Sequence, residues 1–162
     1  MKKILIVIIS VLIAIQFIPK GNKNTSTLNE TTGIEFAHKV PDSVSEILKN
    51  SCYDCHSNHT NYPWYSNIQP IAWWLNDHIN EGKEELNFSI FATYSIRRQY
   101  HKLKEIDEQI EEGEMPLESY TLIHKSAVLN VQQKKLVNLW TKALIDSFES
   151  HYPADSLKRK KK

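Results

Sequence analysis

Apolar and polar positions divide the chain into an unbroken apolar run, a polar stretch with no period, and a longer body with helical spacing. The run extends from Ile4 to Ile18, interrupted only by Ser10 and Gln16, and follows Lys2 and Lys3. A positive start followed by an apolar core has the form of an export signal. About 15 helical residues reach roughly 22 Å, less than the ~30 Å hydrocarbon core of a bilayer. The segment Phe17-Ile18-Pro19-Lys20 offers no small residues for signal cleavage, and no cysteine directly follows the run for lipoprotein processing. Residues 1–19 are therefore expected to form a signal or membrane anchor, with a buried helix as the alternative. The lysine pair favours an inside N-terminus. That orientation leaves the body exported, on the periplasmic side and held to the inner membrane by residues 4–18.

Residues 20–33 lack apolar periodicity and are expected to be a flexible tether. Helical spacing begins beyond them. Ser43 and Glu46 stand at capping-box distance ahead of Val44, Ile47 and Leu48. Pro70 suits a first helical turn leading Ile71 to Ile79. Leu103, Ile106 and Ile110 mark one face of a helix that ends near Gly113. Asn130 with Gln133 should cap a last helix carrying Leu136, Leu139, Trp140, Leu144 and Phe148. The segment 58–69 reads as an ordered loop, and no stretch alternates as a strand would. The expectation is an all-α fold: a small cytochrome c-like helical domain over residues 34–150, after the hydrophobic segment. Residues 151–162, ending in the charge run Lys158–Lys162, form a basic tail.

Composition narrows the chemistry. With 41% hydrophobic and 24% charged residues the body is ordinary globular material, and a net charge of +1 gives no basic face for nucleic acid. Only four glycines occur, and neither G-x-G-x-x-G nor G-x-x-x-x-G-K is present, so a phosphate cradle is not expected.

The only two cysteines lie in Cys52-Tyr53-Asp54-Cys55-His56. The pattern C-x-x-C-H is the attachment signature of c-type haem. Two thiols three residues apart can add to the two vinyl groups on one porphyrin edge, and the following imidazole can then bind the iron. Cys52, Cys55 and His56 are the candidate cofactor residues, for one haem c per chain. A redox disulfide, a zinc site and a chance match compete with this reading. The first wants a βαβ setting, and the second needs a fourth ligand.

An electron-transfer haem usually takes a second axial ligand, commonly Met or His. Met115, in Gly113-Glu114-Met115-Pro116, is the only methionine besides Met1 and is the candidate, so that His56 and Met115 would hold the metal. His78 and His124 are the alternatives. His59 is too near His56 to cross to the other face, and His38, His101 and His151 read as surface or satisfied structural residues. Tyr62, Trp64, Tyr65, Trp73 and Trp74 crowd the sequence after the motif and are expected to wall the cofactor.

The sequence resembles the small bacterial haem-binding domain proteins of the cytochrome c type, especially membrane-anchored ones. The resemblance runs over roughly residues 34–148. It rests on Cys52-Tyr53-Asp54-Cys55-His56-Ser57-Asn58, Tyr62-Pro63-Trp64-Tyr65-Ser66, Trp73-Trp74, His78-Ile79 and Glu81-Gly82. It continues through Leu86-Asn87-Phe88-Ser89, Glu114-Met115-Pro116 and Leu136-Val137-Asn138-Leu139-Trp140. It implies a helical haem domain and, by analogy with cytochromes c, His/Met ligation. Lys83 stands where the resemblance would place an arginine. The functional expectation is mono-haem electron transfer with an unidentified redox partner protein, rather than an enzyme. A peroxidase-type haem enzyme or gas sensor with a displaceable sixth ligand, or a haem-free disulfide or zinc module, are the alternatives.

Overall fold

The computed structural model describes residues 1–26 and 31–159. The parts of the expected tether at 27–30 and of the tail at 160–162 lie outside the described residues. Among those described, regular structure is helical, with one isolated antiparallel bridge between Thr25 and His59. The α-helices are α1 (Lys2–Ala14), α2 (Ile34–Ala37), α3 (Asp42–Ser51), α4 (Tyr53–His56) and α5 (Ile71–Glu85). They continue with α6 (Ile96–Glu112), α7 (Glu118–Thr121), α8 (Val131–His151) and α9 (Ala154–Leu157). The expected all-α class is thus what the described residues adopt.

Two long helices form the frame. In α6, Leu103, Ile106 and Ile110 recur at helical spacing and are buried. Ser95 caps its start by accepting from the Arg98 N–H, and Gly113 ends it with φ of 80°, a left-handed turn that glycine adopts without a Cβ clash. Helix α8 opens with the reciprocal Asn130–Gln133 capping box that its sequence indicates. Its buried positions are Val137, Trp140, Thr141 and Phe148, whereas Leu139 faces outward at 56% exposure. The helices run antiparallel, stitched by Tyr100 donating to Glu149 at 2.6 Å and Thr141 donating to Asp107 at 3.1 Å. Helix α3 and the 3-10 segment Phe88–Thr93 complete the core, where Leu48, Phe88 and Phe91 are almost fully enclosed. Each such side chain contributes on the order of 1.5–3 kcal/mol by leaving water.

Some local expectations need correction. The capping box at Ser43 does not form, because α3 begins two residues earlier than that cap implies, with Pro41 in extended geometry ahead of Asp42. Ser43 is then inside the helix, and the acidic Asp42 stands in the first turn beside the unpaired N–H groups. Pro70 caps α5 rather than entering it, and α5 continues past Ile79 to Glu85.

The larger correction concerns residues 20–33. Their described part is bonded to the body rather than free. Asn24 is buried, and its side chain donates to Ser57 O at 2.8 Å and Thr60 Oγ1 at 2.9 Å. Its Oδ1 accepts from Lys83 Nζ at 2.8 Å, which gives the lysine at that position a partner. Its backbone N–H donates to the Tyr62 hydroxyl. Ser26 N and Thr60 N extend the pairing to Asn58 O and Asn24 O, and Thr32 Oγ1 donates to Ser89 O. A polar sequence without period still has backbone and amide groups, and here they satisfy the loop behind the cysteine motif.

Helix α1 buries none of its residues, and no helix of the described residues is long and apolar enough to cross a membrane.

Candidate haem site

Helices α3 and α4 meet at Cys52, whose backbone (φ −127°, ψ −39°) breaks the helix for one residue. Cys55 N and His56 N both donate to Cys52 O, so the motif is a single helical turn. On such a turn positions i, i+3 and i+4 share a side, which brings Cys52, Cys55 and His56 together.

His56 is held from behind. Its Nδ1 lies 2.8 Å from Gly82 O and 3.0 Å from Leu86 O, both at the C-terminal end of α5. Two carbonyls can only be served by a protonated Nδ1, so Nε2 carries the free lone pair. Burial lowers the pKa of the ring, opposed by those two bonds and aided by the charge of Lys102, and this keeps the imidazole neutral. A neutral imidazole oriented through Nδ1 is the form that ligates a metal. Phe88 stands at its edge, with ring centres 6.4 Å apart, and stacks on Tyr53 at 5.2 Å.

Gly82 allows this arrangement. A Cβ there would lie 3.0 Å from Cys55 O and 3.3 Å from Cys55 Cβ. The absence of a side chain lets α5 approach α4 closely enough for its carbonyls to reach the ring. Beyond the family resemblance, the sequence gives Gly82 and Leu86 no role, since a backbone acceptor has no residue-type signature.

The two thiols are unbridged. Burial, then the neighbouring Cys55, pushes Cys52 up to about 12, and burial, then Asp54, pushes Cys55 up to about 11. Both are protonated near neutrality. A thioredoxin-type dithiol needs a lowered pKa instead. Among the described residues no group of three or more His, Cys, Asp or Glu side chains is placed to hold a metal ion by itself.

Two adjoining cavities of about 270 and 300 Å³ open beside the motif. Both are lined by Cys52, His56, Glu85, Met115 and Pro116. The first is closed by Leu86, Phe88, Ile106, Ile110 and Leu129, the second by Cys55, His78, Gly82 and Tyr120. Together they fall within the ~300–1,000 Å³ typical of sites for cofactor-sized ligands. Lys102 lines the first and is paired with Glu85 at 3.1 Å and Glu105 at 2.6 Å. The fit to a porphyrin is therefore good in kind: apolar walls, two neutral thiols on one edge, and an oriented imidazole.

Met115 lines both cavities together with His56. His78 lines the second, with Nδ1 bonded to Trp74 O at 2.9 Å. His124 lines neither. Its Nε2 bonds the Tyr65 hydroxyl at 2.6 Å, and its ring stacks on Tyr120 at 4.3 Å. Tyr120 in turn donates to Asp54 Oδ2, tying this loop to the motif. His59 is exposed, and His151 is an exposed helix-end residue. His38 is a structural residue bonded to Gln99, while His101 Nε2 is buried without a partner among the described residues.

The expected aromatic wall is divided. Tyr62, Trp64, Tyr65, Trp73 and Trp74 line neither of the two cavities. Trp64, Tyr65 and Trp74 surround a neighbouring apolar cavity of about 280 Å³ that also reaches Cys55 and His78. Tyr62 and Trp73 bond the N-terminal segment, at Asn24 N and Pro19 O. Phe88, Ile106, Ile110 and Leu129 take the place of the wall. They are distant in sequence from the motif, and only the packing of α6 and the 125–130 segment onto it reveals them.

These features define a helical module built to receive a flat apolar cofactor beside a histidine. A family model described as a haem-binding domain matches residues 10–143, and the chain belongs to that family. No curated protein and no solved structure matches it.

Proposed function

We propose that this chain carries one haem of the c type and serves as a mono-haem electron carrier on the periplasmic side of the inner membrane. The observation that carries the reading is His56, its Nδ1 committed to Gly82 O and Leu86 O, beside two neutral unpaired thiols and Met115 around the same cavities. Cys52 and Cys55 would hold the cofactor. Each S–H would add across a vinyl group, sulfur to one carbon and hydrogen to the other, giving a thioether with no net oxidation. When bound, haem supplies a one-electron iron couple. The chain's own residues do the rest. His56 would hold the iron through Nε2, with its ring kept from turning by Gly82 O and Leu86 O. Met115, in the loop after α6, would supply its thioether as a soft ligand that raises the potential. Phe88, Ile106, Ile110 and Leu129 exclude water. Residues 4–18 would export and anchor the chain.

His78 is the competing sixth ligand, because it lines the second cavity and its Nδ1 bond leaves Nε2 free. Protein made in a host with a cytochrome c maturation system should keep haem on a denaturing gel and gain the mass of one haem. Colourless material without added mass would refute the reading. The oxidised protein should show the far-red methionine-to-iron band, lost in Met115→Ala and kept in His78→Ala; a wild-type spectrum without that band, unchanged in Met115→Ala and altered in His78→Ala, would assign the site to His78.

A further inference from the structure

We propose that the face around Trp64 and Trp74 sits in the interfacial zone of the bilayer that α1 enters, so that the body is docked on the membrane in one orientation. This rests on reading residues 4–18 as an anchor. Three observations lead to it.

The apolar helix is short. The 13 residues of α1 and the 3-10 turn Ile15–Phe17 reach about 26 Å, under the ~30 Å of a hydrocarbon core. An anchor shorter than the bilayer draws the residues that flank it toward lipid.

The chain just beyond the helix is clamped. Gln16 Nε2 donates to Gln69 O, and Gln69 N donates back to Gln16 Oε1, both at 3.0 Å. Trp73 Nε1 donates to Pro19 O at 2.9 Å. These bonds fix the end of the apolar run against the start of α5, so a bilayer around the run also meets the surface beside the clamp.

That surface is apolar and aromatic. Phe17 is 83% exposed, Trp64 77%, Ile123 62% and Trp74 46%, with Ile71 and Trp73 near 40% and 38%. Trp64, Ile71, Trp74 and Ile123 line one cavity and therefore form one patch. Isolated exposed apolar residues need no explanation, but a patch holding two of the chain's four tryptophans does. Tryptophan suits the level of the lipid headgroups, with its apolar ring toward the chains and its N–H toward water. Cys55 lines the same cavity, so docking would present the attachment side of the body to the membrane.

The test uses the full haem-loaded chain in phosphatidylcholine–phosphatidylglycerol vesicles. These carry a phospholipid with a diazirine near the carboxyl end of one acyl chain. After irradiation, mass spectrometry should find lipid adducts both in α1 and in residues 64–74, and none on the peptide holding the buried Trp140. The double variant Trp64→Gln/Trp74→Gln changes exposed positions and should lose most adducts in 64–74 while α1 stays labelled. Adducts in α1 alone would overturn the docking and leave the anchor reading intact. Undiminished labelling of 64–74 in the double variant would also overturn it. A chain that fails to float with the vesicles and carries no adduct anywhere would overturn both.

Discussion

Replacing Gly82 by alanine sets two effects against each other. On an exposed helix the change stabilises, by about 0.8–1 kcal/mol of helix propensity. Here the new Cβ would stand 3.0 Å from Cys55 O and 3.3 Å from Cys55 Cβ, inside ordinary carbon contact distances of ~3.5–4.0 Å. Neither contacted atom is the end of a flexible side chain, so α5 and α4 must separate by a few tenths of an ångström. Overpacking of this sort costs about 1–3 kcal/mol. The separation also lengthens the 2.8 Å bond from His56 Nδ1 to Gly82 O, and such a bond is worth about 0.5–1.5 kcal/mol. The sum is a net destabilisation of about 1–3 kcal/mol, or a fall in Tm of about 3–10 °C for a chain of this size. The measurement is denaturant and thermal unfolding of haem-loaded wild type and variant, with equal m-values required. A weaker hold on the Nδ1 proton also makes Nε2 a poorer donor, so the midpoint potential should move positive in spectroelectrochemical titration. A variant as stable as wild type or more so, with an unmoved potential, would refute the close-approach reasoning.

Asn24→Ala removes two donors and one acceptor from a buried position, leaving Ser57 O and Lys83 Nζ without this partner. It should destabilise by about 2–4 kcal/mol in urea unfolding; a change under ~0.5 kcal/mol, the usual range of neutral surface substitutions, would show that the segment is not part of the folded body. His38 should make stability fall in mild acid. Burial lowers its folded pKa below 6.5, with the Gln99 bond opposing this, so the unfolded chain binds the proton more readily. Its contribution to stability is intact above 6.5 and is lost as pH falls from 6.5 through the lowered folded value. His38→Gln should flatten that slope in unfolding curves taken from pH 7 to 5; an unchanged slope would remove His38 as the cause.

Much of the frame is legible along the chain because its signals are local. Leu103, Ile106 and Ile110 repeat at helical spacing, Gly113 tolerates the left-handed turn, and Asn130 with Gln133 closes its own capping box. Local spacing also misplaces the start of α3: Ser43 has the right distance to Glu46, but Pro41 and Asp42 decide where the helix begins.

The sequence by itself determined the helical class and the motif. Each depends on residue types within a few positions of one another, and periodicity or spacing records them directly. What only the tertiary structure decided is the setting of that motif. The carbonyls of Gly82 and Leu86 select the free nitrogen of His56, and Ile106, Ile110 and Leu129 close the cavity instead of the nearby tryptophans. Asn24 turns an apparent tether into part of the wall behind the cysteines. Backbone acceptors carry no residue-type signature. Contacts between segments distant along the chain depend on how the helices pack, which no local pattern encodes.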